Sequence, residues 1–274
     1  MDLFDKCKTD KGYFGPFRAG GDHYFTRPIL DPVPGDRMTF QDREVVMWSV
    51  NNYLGFAGNE AIKQAAREAL EEFSVSSPMG SRMMSGNTRY HLELEKKLAD
   101  YAQKESAFLF NYGYLGVLGT IASLVEQDDI IIMDKLAHAS IVDGMILSKA
   151  TSRFFRHNRV DDLERKLKGF EGKKLVIVEG VYSMDGDVPP LGDIVEVCRR
   201  HGARLMIDEA HSAFLFGENG RGVVEDQGLE DEVDIHLGTF SKSLGGQGGY
   251  IAGSEQLINY LRGFSRSRFF SCAL

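Results

Sequence analysis

Residues 234–250 read DIHLGTFSKSLGGQGGY, and this stretch decides the fold. A short apolar run reaches Thr239, and a glycine-rich loop follows Lys242 within a few residues. This pattern predicts a buried strand that ends at a loop where backbone segments approach closely. Most lysines are solvated on the protein surface, but Lys242 lies among hydroxyls and glycines with few competing charges. We therefore predict that Lys242 faces a functional site.

The residues around Lys242 indicate the chemistry of that site. The hydroxyls of Thr239 and Ser241 and the bare amides of the glycine loop suit a phosphate group. A lysine amine in the same place suits a Schiff base with an aldehyde. Pyridoxal phosphate (PLP) carries both groups, so the stretch predicts a PLP site.

A second segment, residues 203–211, is an apolar run that ends in Asp-Glu-Ala-His. It places Asp208 at the carboxyl end of a buried strand, where open α/β sheets bind their ligands. In a PLP enzyme a buried aspartate keeps the ring nitrogen protonated, which lets the cofactor withdraw electrons. Asp-Glu-Ala-His also fits the magnesium box of helicases and other P-loop ATPases, but these require an upstream phosphate loop. Residues 169–174 lack its spacing and its Ser/Thr, so PLP is favoured.

Composition narrows the class of protein. The 274 residues are 43% hydrophobic, enough for one large α/β domain or two small ones. A net charge of −8 without a dense basic run argues against nucleic-acid binding. Three scattered cysteines (Cys7, Cys198 and Cys272) and a start without an apolar core argue for a reducing compartment, and we expect a cytoplasmic protein. Uncharged residues 107–125 contain glycines and polar side chains, so we predict a buried strand, loop and helix there and no transmembrane segment.

Several motifs in a fixed order resemble the α-oxoamine synthases, PLP enzymes that condense an amino acid with an acyl-CoA. They are NNYLG at 51–55, EGVYSMDGD at 179–187, DEAH at 208–211 and GTFSK at 238–242. The resemblance runs from about residue 40 to the last residue. Members of the family include serine palmitoyltransferase and 8-amino-7-oxononanoate synthase, and the GTFSK form is nearer to the first. The resemblance implies an enzyme that condenses serine or glycine with an acyl-CoA, usually with decarboxylation.

The resemblance also implies a fold: the major domain of a fold-type-I PLP-dependent transferase, an α/β fold with a mostly parallel sheet flanked by helices. Strand, helix and strand at 175–180, 192–201 and 204–207 predict a parallel sheet independently. We expect an N-terminal arm at residues 1–45 and a PLP-binding major domain at 46–274. The family's C-terminal small domain, which supplies an arginine for the substrate carboxylate, is expected to be absent. Because the arm packs on a partner subunit in the family, a homodimer is implied.

Site residues follow from the resemblance, motif by motif. Lys242 is expected to bond the cofactor aldehyde, and Asp208 to hold the ring nitrogen. We expect His138 to stack on the ring, His211 to bond near the cofactor oxygen, and Asn51 to contact the amino-acid substrate. The remaining cofactor contacts are expected from Gly113, Tyr114, Ser183, Thr239, Ser241 and Ser271. No metal site is predicted.

Two positions depart from the family pattern, and two other functions stay open. Tyr112 stands where many relatives have Ser or Thr, and Cys272 replaces the usual residue of its segment. One alternative is a fold-type-I aminotransferase, which needs no CoA. The other is a truncated, catalytically inactive subunit that binds a partner, an idea favoured by the expected absence of the carboxylate-binding domain.

Overall fold

The computed structural model describes residues 2–8, 15, 30–31, 35–75 and 79–273, which fall into two compact units divided between Val50 and Asn51. The first unit contains a 3-10 helix (Leu3–Lys8) and an antiparallel sheet. Its strands are β1 (Leu30–Asp31), β2 (Arg37–Phe40) and β3 (Arg43–Val46). Most of residues 9–34 lie outside the described part, so the arm boundary at residue 45 stays a prediction.

The second unit is organised around a seven-stranded sheet. Its strands are β4 (Ser106–Phe110), β5 (Ile130–Asp134), β6 (Thr151–Phe155), β7 (Lys174–Glu179), β8 (Arg204–Asp208), β9 (Ile235–Thr239) and β10 (Gly249–Gly253). Their order is β4-β10-β9-β8-β7-β5-β6. Strand β10 runs in the opposite direction to the other six strands, and the remaining pairings in the sheet are parallel. The prediction of a mostly parallel sheet is therefore confirmed.

Helices connect and cover these strands. In the described part they are α1 (Glu60–Phe73), α2 (Arg89–Tyr101), α3 (Gly113–Leu124), α4 (Ala139–Ser148), α5 (Val160–Leu167), α6 (Leu191–His201), α7 (Val223–Asp226), α8 (Glu255–Phe264) and α9 (Arg266–Phe269). The predicted β-α-β unit is β7-α6-β8, whose strands are parallel. The predicted strand, loop and helix at 107–125 is β4 followed by α3. Within the described residues, no helix is both long and apolar enough to cross a membrane.

Both faces of the sheet are buried, which explains why its central strands are apolar throughout. All five residues of β5 are buried, and its side chains alternate between two hydrophobic clusters. Ile130 packs in the cluster that includes Leu163 of α5, whereas Ile131 packs in the cluster that includes Ile121 of α3. Helices on both faces therefore fix the strand positions.

The parallel strands bring polar residues to one edge of the sheet. Strands β5, β7, β8 and β9 point the same way, and each ends in a residue with a polar side chain. These residues are Asp134, Glu179, Asp208 and Thr239. Ligands of open α/β sheets bind outside this carboxyl edge, so the site is expected here.

Candidate active site

A cavity of about 240 Å³ opens at the carboxyl edge of the sheet. Eight residues predicted from sequence line it: Gly113, Tyr114, His138, Asp208, His211, Thr239, Ser241 and Lys242. They come from the starts of α3 and α4, from the ends of β8 and β9, and from the segments that follow those two strands. The fold therefore gathers residues separated by as many as 129 positions into one space.

Lys242 lies half-buried on the cavity wall, and its Nζ is 2.6 Å from His211 Nε2. Burial lowers the pKa of Lys242, and the carboxylates of Asp208 and Glu179 oppose that decrease. A lowered pKa increases the share of neutral amine, which is the form that attacks an aldehyde. Its loop is tightly placed: Gly245 has a φ of +62°, and a Cβ there would lie 2.3 Å from the backbone nitrogen of Ala57.

Two buried carboxyl groups end adjacent strands beside Lys242. Asp208 on β8 is in register with Glu179 on β7. The Asp208 Oδ1 accepts a hydrogen bond from the Ala210 amide (2.9 Å), and the Glu179 Oε1 accepts one from the His138 amide (2.6 Å). Burial raises the pKa of Asp208, and burial together with Asp208 raises the pKa of Glu179 to about 8. A cation placed in this cavity would offset the cost of burying these carboxylates.

His211 joins Lys242 to residues near the start of the second unit. The His211 Nδ1 lies 2.7 Å from Tyr53 Oη, and the Tyr53 hydroxyl donates to Asn51 Oδ1 at 3.2 Å. Burial, with Lys242 and His138 nearby, lowers the pKa of His211 to about 4. The imidazole is therefore neutral at neutral pH.

The start of α3 also lines the cavity, through Tyr112, Gly113 and Tyr114. Its N-cap, Tyr112, makes no side-chain cap hydrogen bond, so the first amides of the helix are available to a ligand. A Cβ on Gly113 would lie 3.1 Å from the Thr239 Cβ, so only glycine leaves this space open. The Thr239 hydroxyl is 2.9 Å from the Ser241 hydroxyl. Amides and hydroxyls converging at a helix start suit a phosphate.

Three predicted residues lie outside the cavity lining. Asn51 reaches it through Tyr53, as described above. Ser183 is exposed in the loop after β7, and the Ser271 hydroxyl donates to the Ser267 carbonyl at 2.8 Å. The roles of Ser183 and Ser271 stay predictions.

Sequence reasoning missed two members of the site, Glu179 and Tyr53. Both lie within motifs that were recognised, but neither received a role. Glu179 ends an apolar strand, as Asp208 does, and that shared pattern could have identified it. No sequence signal joins Tyr53 to His211, because the pair is separated by 158 positions.

Comparison with known proteins agrees with this geometry. Residues 43–274 match the family model described as aminotransferase class I and II. The chain is 37% identical, over its whole length, to a cysteate-C-fatty acyltransferase of Capnocytophaga ochracea. Over 92% of its length it is 42% identical to an 8-amino-7-oxononanoate synthase of Alkaliphilus metalliredigens. It covers 67% and 64% of those proteins, and so spans about two thirds of their length.

A solved structure shows the same fold. Serine palmitoyltransferase of Sphingomonas wittichii matches with a TM-score of 0.92 at 36% identity, over all of this chain and 69% of that one. A serine palmitoyltransferase structure described as containing a PLP internal aldimine matches with a TM-score of 0.91 at 36% identity, also over 100% of this chain and 69% of the other. The chain therefore belongs to the aminotransferase class I and II family, and within it to the α-oxoamine synthases.

Proposed function

We propose that this chain is the PLP-binding part of an enzyme that condenses serine or glycine with an acyl-CoA, usually with decarboxylation, to give an α-oxoamine. The observation that carries the proposal is one cavity faced by a half-buried lysine, a buried aspartate and an uncapped helix start. The names of three relatives support an acyl transfer to an amino acid. Two are named as acyltransferases, and one is named as the synthase of an oxo-amino acid.

The residues of the cavity fit PLP. When bound, PLP supplies an electron sink for the substrate α-carbon. Lys242 would bond its aldehyde carbon, and Asp208 would hold its ring nitrogen. The first amides of α3, with Thr239 and Ser241, would hold its phosphate. His138, whose Nδ1 lies 2.8 Å from the Ser140 hydroxyl, is fixed at the cavity wall by its role as N-cap of α4.

The same residues account for proton movement in the condensation. Lys242, which lines the cavity, would be the amine placed to take the proton from the substrate α-carbon. A carbon–carbon bond then forms between that carbon and the thioester carbonyl, the carbon–sulfur bond breaks, and CoA leaves as a thiolate. In the decarboxylating reaction the substrate carboxylate leaves as carbon dioxide, and a proton replaces it on the α-carbon.

A direct assay separates this proposal from its alternatives. The purified chain with PLP is incubated with serine or glycine and acyl-CoAs of different length, while a thiol reagent follows CoA and mass spectrometry follows the product. We expect CoA release that requires both substrates. Conversion of an amino acid to its keto acid without CoA release would instead identify an aminotransferase. PLP binding without either reaction would identify an inactive partner subunit.

A Gly113→Ala substitution tests the phosphate cradle. The added Cβ would lie 3.2 Å from the Thr239 hydroxyl, so we expect PLP affinity to fall about tenfold. The matched control is Gly192→Ala in the first turn of α6, where a Cβ would meet nothing within 4 Å. Titration of both variants with PLP, followed by absorbance, gives the two dissociation constants. Equal constants in both variants would contradict the proposed phosphate position.

We also propose a homodimer located in a reducing compartment such as the cytoplasm. Ser271, an expected cofactor contact, does not line the cavity of its own subunit, and this supports a role at the site of a neighbouring subunit. The free cysteines Cys198 and Cys272 support the compartment. Light scattering coupled to size exclusion measures the assembly state directly.

A further inference from the structure

Four side chains form a continuous series from Lys242 to the residue expected to contact the amino-acid substrate. Lys242 contacts His211 (2.6 Å), and His211 contacts Tyr53 (2.7 Å). Tyr53 contacts Asn51 (3.2 Å). All three distances are those of hydrogen bonds. Tyr53 is the one member of this series to which the family resemblance gives no role.

The loop that carries Tyr53 is held against the loop that carries Lys242. The Asn52 Oδ1 accepts a hydrogen bond from the Ala57 amide at 3.1 Å, which closes the Tyr53 loop. Ala57 then packs so closely on Gly245 that no Cβ fits there. Tyr53 is 41% exposed, and its hydroxyl makes both of its hydrogen bonds in this series. The series is thus set by two interlocked loops.

The charge on Lys242 decides the direction of these hydrogen bonds. An ammonium group can only donate, so a charged Lys242 favours the tautomer in which His211 Nε2 accepts. The neutral imidazole then carries its single proton on Nδ1 and donates it to Tyr53 Oη. The Tyr53 hydroxyl is left to donate to Asn51 Oδ1, which occupies that oxygen.

A neutral Lys242 permits the opposite direction. Its lone pair can accept from His211 Nε2–H, and Nδ1 then accepts from the Tyr53 hydroxyl. Tyr53 has only one proton to give, so Asn51 Oδ1 loses its donor. The Asn51 oxygen can then accept a hydrogen bond from an N–H group of a ligand.

We infer that Tyr53 is a positioning residue that couples the charge of Lys242 to the hydrogen-bonding state of Asn51. While Lys242 is charged, Tyr53 occupies the Asn51 oxygen; when Lys242 is neutral, Tyr53 turns to His211 and leaves that oxygen for the amino group of an amino-acid substrate. The substrate contact rests on the proposed function, but the series itself exists in the protein without any ligand.

The test measures which nitrogen of His211 carries the proton in PLP-free protein. Nitrogen-15 NMR distinguishes the two tautomers, and a His211→Asn spectrum identifies the resonances. At slightly acidic pH, where Lys242 is charged and His211 is neutral, we expect the proton on Nδ1 in the wild type. Asp208, Glu179 and His138 also face Lys242 or His211, so all variants are compared at one pH.

Two substitutions should change the tautomer ratio. Tyr53→Phe removes the acceptor of Nδ1–H. Asn51→Ala removes the acceptor of the Tyr53 hydroxyl, which then donates to Nδ1. Each should reduce the share of the Nδ1–H form about fivefold relative to Nε2–H. Tyr260→Phe is the control, because it removes a hydroxyl that donates to the Ser123 carbonyl far along the chain from this loop.

The outcomes are distinct. A wild-type proton on Nε2, or an unchanged ratio in both variants, overturns the coupling. Should Tyr53→Phe fail to fold, Asn51→Ala decides the question, since Asn51 is exposed. In PLP-loaded protein, Tyr53→Phe leaves the Asn51 oxygen open at every charge state of Lys242, so it should strengthen amino-acid binding about fivefold. Absence of any amino-acid binding would count against the proposed function, while the tautomer ratio would still decide the role of Tyr53.

Discussion

Replacing Lys242 by alanine is expected to abolish the covalent attachment of PLP and to reduce turnover by at least about 10³-fold, because general acid–base catalysis alone contributes about 10²–10⁴-fold. Lys242 lines the cavity together with Asp208, and it is also the amine that we propose moves the α-carbon proton. Its loss therefore removes both functions. Activity alone would not separate them from misfolding, so attachment is measured independently.

Borohydride reduction followed by peptide mass spectrometry provides that measurement. In the wild type the peptide that contains Lys242 should gain the mass of the reduced cofactor. Lys104 offers a matched control, because it is also half-buried and burial lowers its pKa, but its Nζ donates to the carbonyls of Glu230 and Val233. A Lys104→Gln variant should still be labelled at Lys242. Labelling at Lys104 in the wild type would show that a lowered pKa, without the cavity, suffices for attachment.

The elements that could be predicted from the sequence are those with strong local signals. Strand β5 is a run of apolar residues, and helix α1 combines Asn59 as N-cap with a regular spacing of apolar side chains. Polar residues at the ends of such strands predict which edge of the sheet carries the site. Because parallel strands end at the same edge, the sequence alone predicts that Asp208 and the Lys242 loop lie close together.

Contacts that depend on tertiary packing could not be predicted in this way. The Tyr53–His211 contact requires two loops to pack closely at Gly245 and Ala57. The hydrophobic periodicity of the sequence does not predict such a contact between loops. The pKa of Glu179 is likewise raised by burial and by the register between β7 and β8, which places Asp208 beside it. Local pattern thus identified Lys242, Asp208 and His211, while packing determined their contacts and added Tyr53 and Glu179 to the site.

An Asp208→Asn substitution should separate function from stability. The amide cannot hold a protonated ring nitrogen by charge, so we expect turnover of the PLP-loaded protein to fall about 10²–10³-fold, the usual cost of removing one preorganised electrostatic contact. Absorbance spectra with added PLP should show that the cofactor still binds, because Lys242 and the cradle at α3 are unchanged. Loss of PLP binding itself would contradict this division of roles.

Although Asp208→Asn should lower turnover, it should make the PLP-free protein more stable than the wild type at neutral pH. Burial raises the folded-state pKa of Asp208, so the folded state binds more protons than the unfolded state. The free energy of unfolding therefore decreases as pH rises from about 4, the unfolded value for aspartate, through the raised folded-state pKa. Asparagine has no charge to bury, so the variant should lose less stability over this range. Urea unfolding at several pH values measures the difference.

Glu209 is the matched control for this experiment, since it is the next residue and is also buried. Its carboxylate accepts hydrogen bonds from the amides of Val223 (3.1 Å) and Val224 (3.0 Å), and it does not line the cavity. Burial raises the pKa of Glu209 to about 7, but its bonds stabilise the start of α7. Glu209→Gln should therefore lower the free energy of unfolding by about 1–3 kcal/mol, because one oxygen acceptor is lost. If Asp208→Asn is less stable than the wild type at neutral pH, Asp208 is retained for the fold. If the variant is more stable and turns over more slowly, Asp208 is retained for the reaction.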